Sequence, residues 1–412
     1  MDERPQPWRR TLYAITVAQT LAIVGFSLRV PFLPFYLQDL GSLSIDQATI
    51  WSGLLSAGGA GVMTITAPFW GVISDRRGRK PMVLRAMFAS TITVGLMALA
   101  TAPWHLLVLR IIEGGLAGTV TASTALVAAA APKERLGFSL GLVQTAVFSG
   151  SSVGPLIGGV LADQIGYRPT FLVSSGMLLT AGFIVVFLVH ERFEPQPRGP
   201  ERGIAALRSG AAWMLAPLMI TMISMLFIIR LASSAVQPII PLYVAVIGHQ
   251  AAENASTLAG FALGILGLTS AVSSVYLGRL GDQMGHRRIL VVCIFAAGLL
   301  YLPMAAAQTP WHLIVLQGLF GVAAGGLIPA ANALVGAATA PERRGALYGM
   351  TSAASSFGGF IGPLAGAGIA ASLGFRVTFV AVAVLLLALG MVAVRVFSRQ
   401  PTMEDAATRS LA

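Results

Sequence analysis

Charge is scarce in this sequence. Of 412 residues only 10% are Asp, Glu, Lys or Arg, whereas 56% are hydrophobic and the mean hydropathy is +0.79. So little polar surface cannot cover a water-soluble globule of this size, and lipid is the adequate solvent. Cysteine is nearly absent as well. Cys293 alone excludes an intrachain disulfide, and there is no CxxC or metal-ligand spacing, so neither a metal nor a cofactor is expected. The phosphate loop G-x-x-x-x-G-K-[ST] is missing, which removes ATP hydrolysis as an energy source. No paired carboxylates and no nucleophile–base motif point to an enzyme. Acidic residues number 16 against 27 basic ones, for a net charge of +11. The Lys and Arg residues are dispersed through short connectors without an extended patch of stacking aromatics, so nucleic acid is not an expected partner.

Long apolar runs are abundant. A helix needs about 20 apolar residues to cross roughly 30 Å of hydrocarbon. Such runs lie near 11–37, 51–73, 81–101, 105–129, 137–162 and 169–189, then near 213–245, 255–279, 289–307, 311–338, 345–371 and 376–397. The expected fold class is an all-α membrane protein of 12 transmembrane helices in two six-helix halves, 1–189 and 213–412, joined by a cytoplasmic linker at 190–212. The first run is too long and too like its successors to be a cleaved signal peptide. With the N-terminus inside, 22 basic residues fall in inside segments and only Arg168 and Arg376 at outside ends. That bias places both termini in the cytoplasm, at a cell inner membrane.

Between the second and third runs lies a short charged cluster, Gly71-Val72-Ile73-Ser74-Asp75-Arg76-Arg77-Gly78-Arg79-Lys80-Pro81, read as the loop between two helices with glycines permitting the bend. A weaker copy, Gly278 to Arg288, follows 207 positions later, and Pro103-Trp104-His105-Leu106 returns as Pro310-Trp311-His312-Leu313. Six spans are thus repeated in parallel. Pseudo-symmetric halves provide an interfacial cavity that opens to either side by rocking, which is the basis of alternating access.

These residues carry a family resemblance. Gly71, Asp75, Arg76, Gly78, Arg79 and Lys80 resemble motif A of the major facilitator superfamily, with Ile73 in place of the usual Leu. Gly150, Gly154, Pro155, Gly158 and Gly159 resemble the span-five element G-x-x-x-G-P-x-x-G-G of antiporters, and Gly25, Pro31 and Pro34 fit the first-span element of twelve-helix drug:proton antiporters. Arg110 and Gly114 fit the fourth-span element R-x-x-Q-G, with Glu113 where Gln is usual. The resemblance implies the major facilitator fold and a gate latch at Asp75 that stabilises an outward-open state. Simple enforcement of topology is the other reading of Asp75 and its arginines, and Arg77 and Arg85 read as topology charges. Gly150, Gly154, Pro155, Gly158 and Gly159, with Gly358, Gly362 and Pro363 at matching places in the second half, serve either static close packing or a sliding hinge.

Three arginines, Arg29, Arg110 and Arg230, lie inside apolar spans, where a charge costs about 2.5–3.5 kcal/mol on insertion scales and marks a pathway for ions or substrate. Arg110 and Glu113 are three apart, on one helix face. They form either a structural ion pair or a proton-coupling site in which Glu113 takes the proton and Arg110 modulates it. Arg29 either snorkels to the outer surface or lines the cavity. Arg230, Gln144, Gln237, Gln317 and Asn332 are further candidates for the substrate cavity. The expected function is a monomeric secondary carrier that exports small amphipathic molecules in exchange for protons. A carrier of a sugar, metabolite or organic anion is the alternative within the class, and a ligand sensor without flux is the alternative outside it.

Overall fold

Residues 7–191, 217–248, 254–337 and 344–398 are described by a computed structural model. Among them no strand occurs, and eleven helices are long and apolar enough to cross a membrane. Arg79–Met97 is the twelfth passage, made less apolar by Arg79, Lys80 and Arg85 near its start. The expected twelve-span architecture therefore stands. The 190–212 linker lies outside the described residues except for His190 and Glu191.

Three spans expected to be continuous are broken. The first runs as Pro7–Leu28 and then Leu33–Gly41, and Pro31 and Pro34, which lack an N–H to donate, fall at the interruption. The seventh runs as Pro217–Val236, a 3₁₀ turn Gln237–Ile239 and Ile240–Ile247, with Pro238 and Pro241 at the same relative place. The fourth is split into Pro103–Leu116 and Thr119–Ala130, where Gly118 adopts φ +120°. The others are the second (Ile45–Arg77), third (Arg79–Met97), fifth (Leu136–Ile165), sixth (Tyr167–Leu188), eighth (Ala255–Met284), ninth (His286–Ala305), tenth (Pro310–Ala337), eleventh (Arg344–Leu373) and twelfth (Phe375–Ser398).

The charged cluster at 71–81 is not a loop. Gly71 to Arg77 continue the second span and Arg79 starts the third, so Gly78 alone, at φ +95°, makes the turn. A left-handed backbone of this kind is open to glycine at little steric cost. Gly285, at φ +91°, makes the same turn between the eighth and ninth spans.

The glycine-rich spans meet their neighbours at backbone distance. In the fifth span Gly150, Gly154 and Gly158 press on Thr20, Val24, Ser27 and Leu28 of the first span, and Gly159 presses on Ser256 of the eighth. In the eleventh, Gly358, Gly362 and Gly366 press on Phe227, Leu231 and Ala235 of the seventh. The two halves join by a repeated contact, Gly260 on the Pro155 carbonyl and Gly53 on the Pro363 carbonyl. Small residues permit such approach, and packing of this kind replaces the hydrophobic drive that lipid cannot supply. At the same end Asp163 Oδ2 accepts from the Thr257 backbone N–H at 2.7 Å, capping the start of the eighth span with the end of the fifth. Toward the face that carries Gly78 and Gly285, the basic face, a Cβ on Gly71, Gly141, Gly278 or Gly349 of the same four spans would meet nothing within 4 Å. The halves are closed at the far face and apart at the basic one.

Candidate functional site

The first-span break and the Pro103–Leu116 segment of the fourth span bring three charges together. Arg29 Nη2 donates to Glu113 Oε1 at 2.7 Å, and Arg110 Nη1 donates to Glu113 Oε2 at 2.9 Å. Arg29 is 4% exposed and Glu113 3%. Arg29 therefore does not snorkel: it lies in the break between Leu28 and Leu33 and turns to a carboxylate instead of the surface. Arg29 Nη1 and Arg110 Nε remain without a partner among the described residues. Both Glu113 oxygens are engaged by guanidinium groups, and all three residues belong to the first half.

The break in the fourth span is satisfied by its neighbours. Trp70 Nε1 donates to the Gly115 carbonyl at 2.7 Å, and Arg85 Nη2 donates to the Ala117 carbonyl at 2.9 Å. The Arg85 guanidinium also lies over the Trp70 ring, 3.5 Å from its centre. Irregular backbone within hydrocarbon needs such partners. Arg85 is thus more than a topology charge; it holds the break one turn below Glu113. Gly114 presses on the Gly59 carbonyl of the second span and fixes the helix at that level.

Two cavities border this cluster, and another adjoins one of them. One of about 200 Å³ lies between the halves, lined by Arg29 and Arg110 on one side and by Arg230, Gln237 and Pro363 on the other. It is continued by a cavity of about 430 Å³ between the fifth span and the second half, lined by Gln144 and Phe148 on one side and by Arg230, Gln237, Gln317, Leu263, Tyr301 and Phe320 on the other. The third, of about 350 Å³, lies against Arg29, Arg110, Glu113 and Gly118 within the first half. Five of the six residues expected around a substrate are brought together in this way. Asn332 lines none of the three.

At the basic face the third and sixth spans cap one another. Glu191 accepts from the Arg79 and Lys80 backbone N–H groups, each at 2.8 Å, while Lys80 Nζ donates to the Val186 and Val189 carbonyls at 3.0 and 2.7 Å. A carboxylate at a helix start and an ammonium at a helix end both suit the macrodipole. Gly71 and Arg76 are exposed there. Asp75 falls in the last turn of the second span, and its side chain lies outside the described residues.

Sequence reasoning missed Trp70, Arg85, Asp163 and Glu191. A signal existed for the first two: 207 positions later stand Leu277 and Val292, so the repeat itself marks Trp70 and Arg85 as departures. For Asp163 and Glu191 nothing local distinguishes a capping carboxylate from a solvated one.

Twelve passages, paired breaks and an interfacial cavity lined by charge define a class, the two-half membrane carriers. The sequence matches the Major Facilitator Superfamily over residues 15–267 and again over 222–410, and the chain belongs to that family. Within it, the Multidrug resistance protein MdtG of Serratia proteamaculans (strain 568) is 35% identical over 395 residues, 96% of this chain and 95% of the relative. MdtG of Dickeya zeae (strain Ech586) is 35% identical over 383 residues, 93% of each chain. Among solved structures, a bacterial homolog of the human lysosomal transporter Spinster, inward-facing and unoccupied, superposes with a TM-score of 0.78 at 16% identity, covering 97% of this chain and 100% of that one. The nucleoside transporter NupG gives 0.77 at 13% identity, covering 94% and 100%. At these identities the two structures share the fold.

Proposed function

We propose that this chain exports small amphipathic molecules across a bacterial inner membrane in exchange for protons, by alternating access. The observation that carries the reading is the uneven seam: backbone contact between the halves at the far face, separation at the basic face, and cavities between them, one lined by charge and one largely apolar. The basic bias puts the basic face and both termini in the cytoplasm, so this arrangement is open to cytoplasmic substrate. The name of the MdtG relatives supports a drug-like cargo.

In this reading Glu113 carries the proton. Both of its oxygens are held by Arg29 and Arg110, so proton uptake requires one pair to open. Rocking of whole halves does not separate three groups in one half. The breaks in the first and fourth spans supply the motion, since each lets its outer segment turn against the inner one. Gly71, Asp75, Arg76, Gly78, Arg79 and Lys80 form the gate that holds the opposite, outward-open state. Gly150, Gly154, Pro155, Gly158 and Gly159, with Gly358, Gly362 and Pro363, are the sliding surfaces. Arg230, Gln144, Gln237 and Gln317 receive substrate; the carrier acts as a monomer, with no catalytic step and no cofactor.

Inside-out vesicles test this. Fluorescent amphiphiles should accumulate only under an inward-acidic gradient, and Glu113→Gln at matched protein level should abolish the gradient dependence. Accumulation that survives the substitution removes Glu113 as the coupling group, and absence of any flux favours a sensor.

A further inference from the structure

The charges around the interfacial cavity do not balance. Arg29, Arg110 and Arg230 all line it, and no Asp or Glu does. Glu113, just behind, is already shared between Arg29 and Arg110. The Arg230 carbonyl accepts from the Ser234 hydroxyl, but its guanidinium makes no hydrogen bond and no ion pair among the described residues, and Arg230 is exposed where it lines the cavities. Gly359 leaves room beside it: a Cβ there would stand 3.5 Å from Arg230 Nε. A lone guanidinium at mid-span is costly and persists where it faces a pathway. Its planar fork suits a carboxylate, sulfonate or phosphate-like group, which it can hold through two parallel bonds.

Arg230 and Gln237 line both the charged cavity and the larger one, whose remaining wall is mostly apolar, with Ile229, Leu263, Phe320 and Ile328. A volume of about 430 Å³ falls within the range of small-molecule sites. A ligand that fits both has a negative head and an apolar body.

We propose that Arg230, with Gln237 beside it and Arg29 and Arg110 across the interface, is the head-group site for amphipathic organic anions, whose apolar body occupies the larger cavity. The proposal rests on the carrier reading above and names the substrate class of that same cavity. It inverts the charge preference of a site built to attract lipophilic cations.

Binding decides it without flux or a proton gradient, so failure of proton-coupled export and failure of this site are separable. Three probes share one naphthalene body and differ in the head: sulfonate, hydroxymethyl or trimethylammonium. Titration calorimetry on the full chain in phosphatidylcholine nanodiscs should show the sulfonate binding at least about tenfold tighter than the ammonium, the scale of a hydrogen bond to a charged group. Arg230→Gln should erase that preference, bringing the sulfonate, the neutral probe and the ammonium to within a few-fold of one another in the variant. Gly359→Asp gives an independent variant, because it leaves Arg230 in place and sets a tethered carboxylate beside it. The sulfonate should then lose its advantage while the neutral probe still binds. A sulfonate with no advantage over the ammonium in the native protein, or an advantage that survives both variants, overturns the proposal. So does displacement of the sulfonate by phosphatidylglycerol in the disc, since the occupant would then be lipid head group and not cargo.

Discussion

The two halves share their backbone and differ in their charges. At an offset of 207 the turns at Gly78 and Gly285 match, as do the seam glycines Gly53 and Gly260 and the hydroxyls of Tyr36 and Tyr243. At the same offset Arg110 becomes Gln317, Glu113 becomes Phe320, Arg29 becomes Val236, and Ile23 becomes Arg230. What repeats is what any two-half carrier needs in order to fold and rock. What does not repeat sits in the cavities, so the first half holds a closed charge cluster and the second offers amide and aromatic side chains around the Arg230 guanidinium, which has no partner among the described residues. The breaks follow the same rule. The fourth span is split at Ala117–Gly118, and the tenth, with Ala324 and Gly325 at those places, is unbroken. Glycine permits a break but does not make one. Trp70 and Arg85 accept the burden of the freed carbonyls in the first half, and Leu277 and Val292 have no donors to offer in the second.

The largest effect should come from neutralising the charge cluster of the first half. Glu113→Gln leaves Arg29 buried without its counter-charge, and removing one partner of a buried pair costs about 3–5 kcal/mol. Reversible unfolding in mixed micelles should show that loss. Adding Arg29→Met in the same chain should recover most of it, because the two substitutions touch one pair and are not additive. Phe320→Leu at the matching place in the second half should cost much less, about 1 kcal/mol for a swap that stays apolar. Additive losses for Arg29 and Glu113 would mean that the cluster is not the unit it looks to be.

How much of this was legible in the sequence follows from the same division. Twelve spans, their repeat and the Arg110–Glu113 pair come from hydropathy and helical spacing, which are local properties. The breaks were hidden because proline and glycine in an apolar run do not say whether neighbours satisfy the freed backbone. Arg29 was ambiguous because reach to the surface and reach to Glu113, 84 residues away, are equally open to a sequence without tertiary contacts. The 71–81 cluster looked like a loop because its charges resemble one; only φ at Gly78 reduces the turn to a single residue. Arg85 looked like a topology charge for the same reason, its partner being a carbonyl.

A smaller effect sharpens the account of the breaks. Trp70→Leu with Arg85→Val reproduces the second half at these two positions and leaves the Gly115 and Ala117 carbonyls without donors, at about 1–3 kcal/mol each. The fourth span should respond either by losing stability or by closing into a continuous helix. Hydrogen exchange at residues 118–121 separates these outcomes: protection should rise if the helix closes and fall if the break frays. Unchanged stability together with unchanged exchange would detach Trp70 and Arg85 from the break and leave its asymmetry without a cause.

The smallest effect tests the shared side of the comparison. The Tyr36 hydroxyl donates to the Met97 carbonyl at 3.1 Å, and the Tyr243 hydroxyl donates to the Met304 carbonyl at 2.9 Å, each joining the helix after a break to the end of a neighbouring span two passages on. Both side chains are buried among aromatic rings, Phe171 and Tyr167 in one half and Phe375 and Phe379 in the other. Removing the hydroxyl alone, Tyr36→Phe or Tyr243→Phe, keeps the ring packing and forfeits one hydrogen bond, about 1 kcal/mol. If these anchors are the same device used twice, the two variants should lose the same amount within a few tenths of a kcal/mol. The double variant should lose the sum, since the sites share no partner. A marked inequality would place the asymmetry of the halves in their frame as well as in their cavities, and the separation of scaffold from charge would not hold.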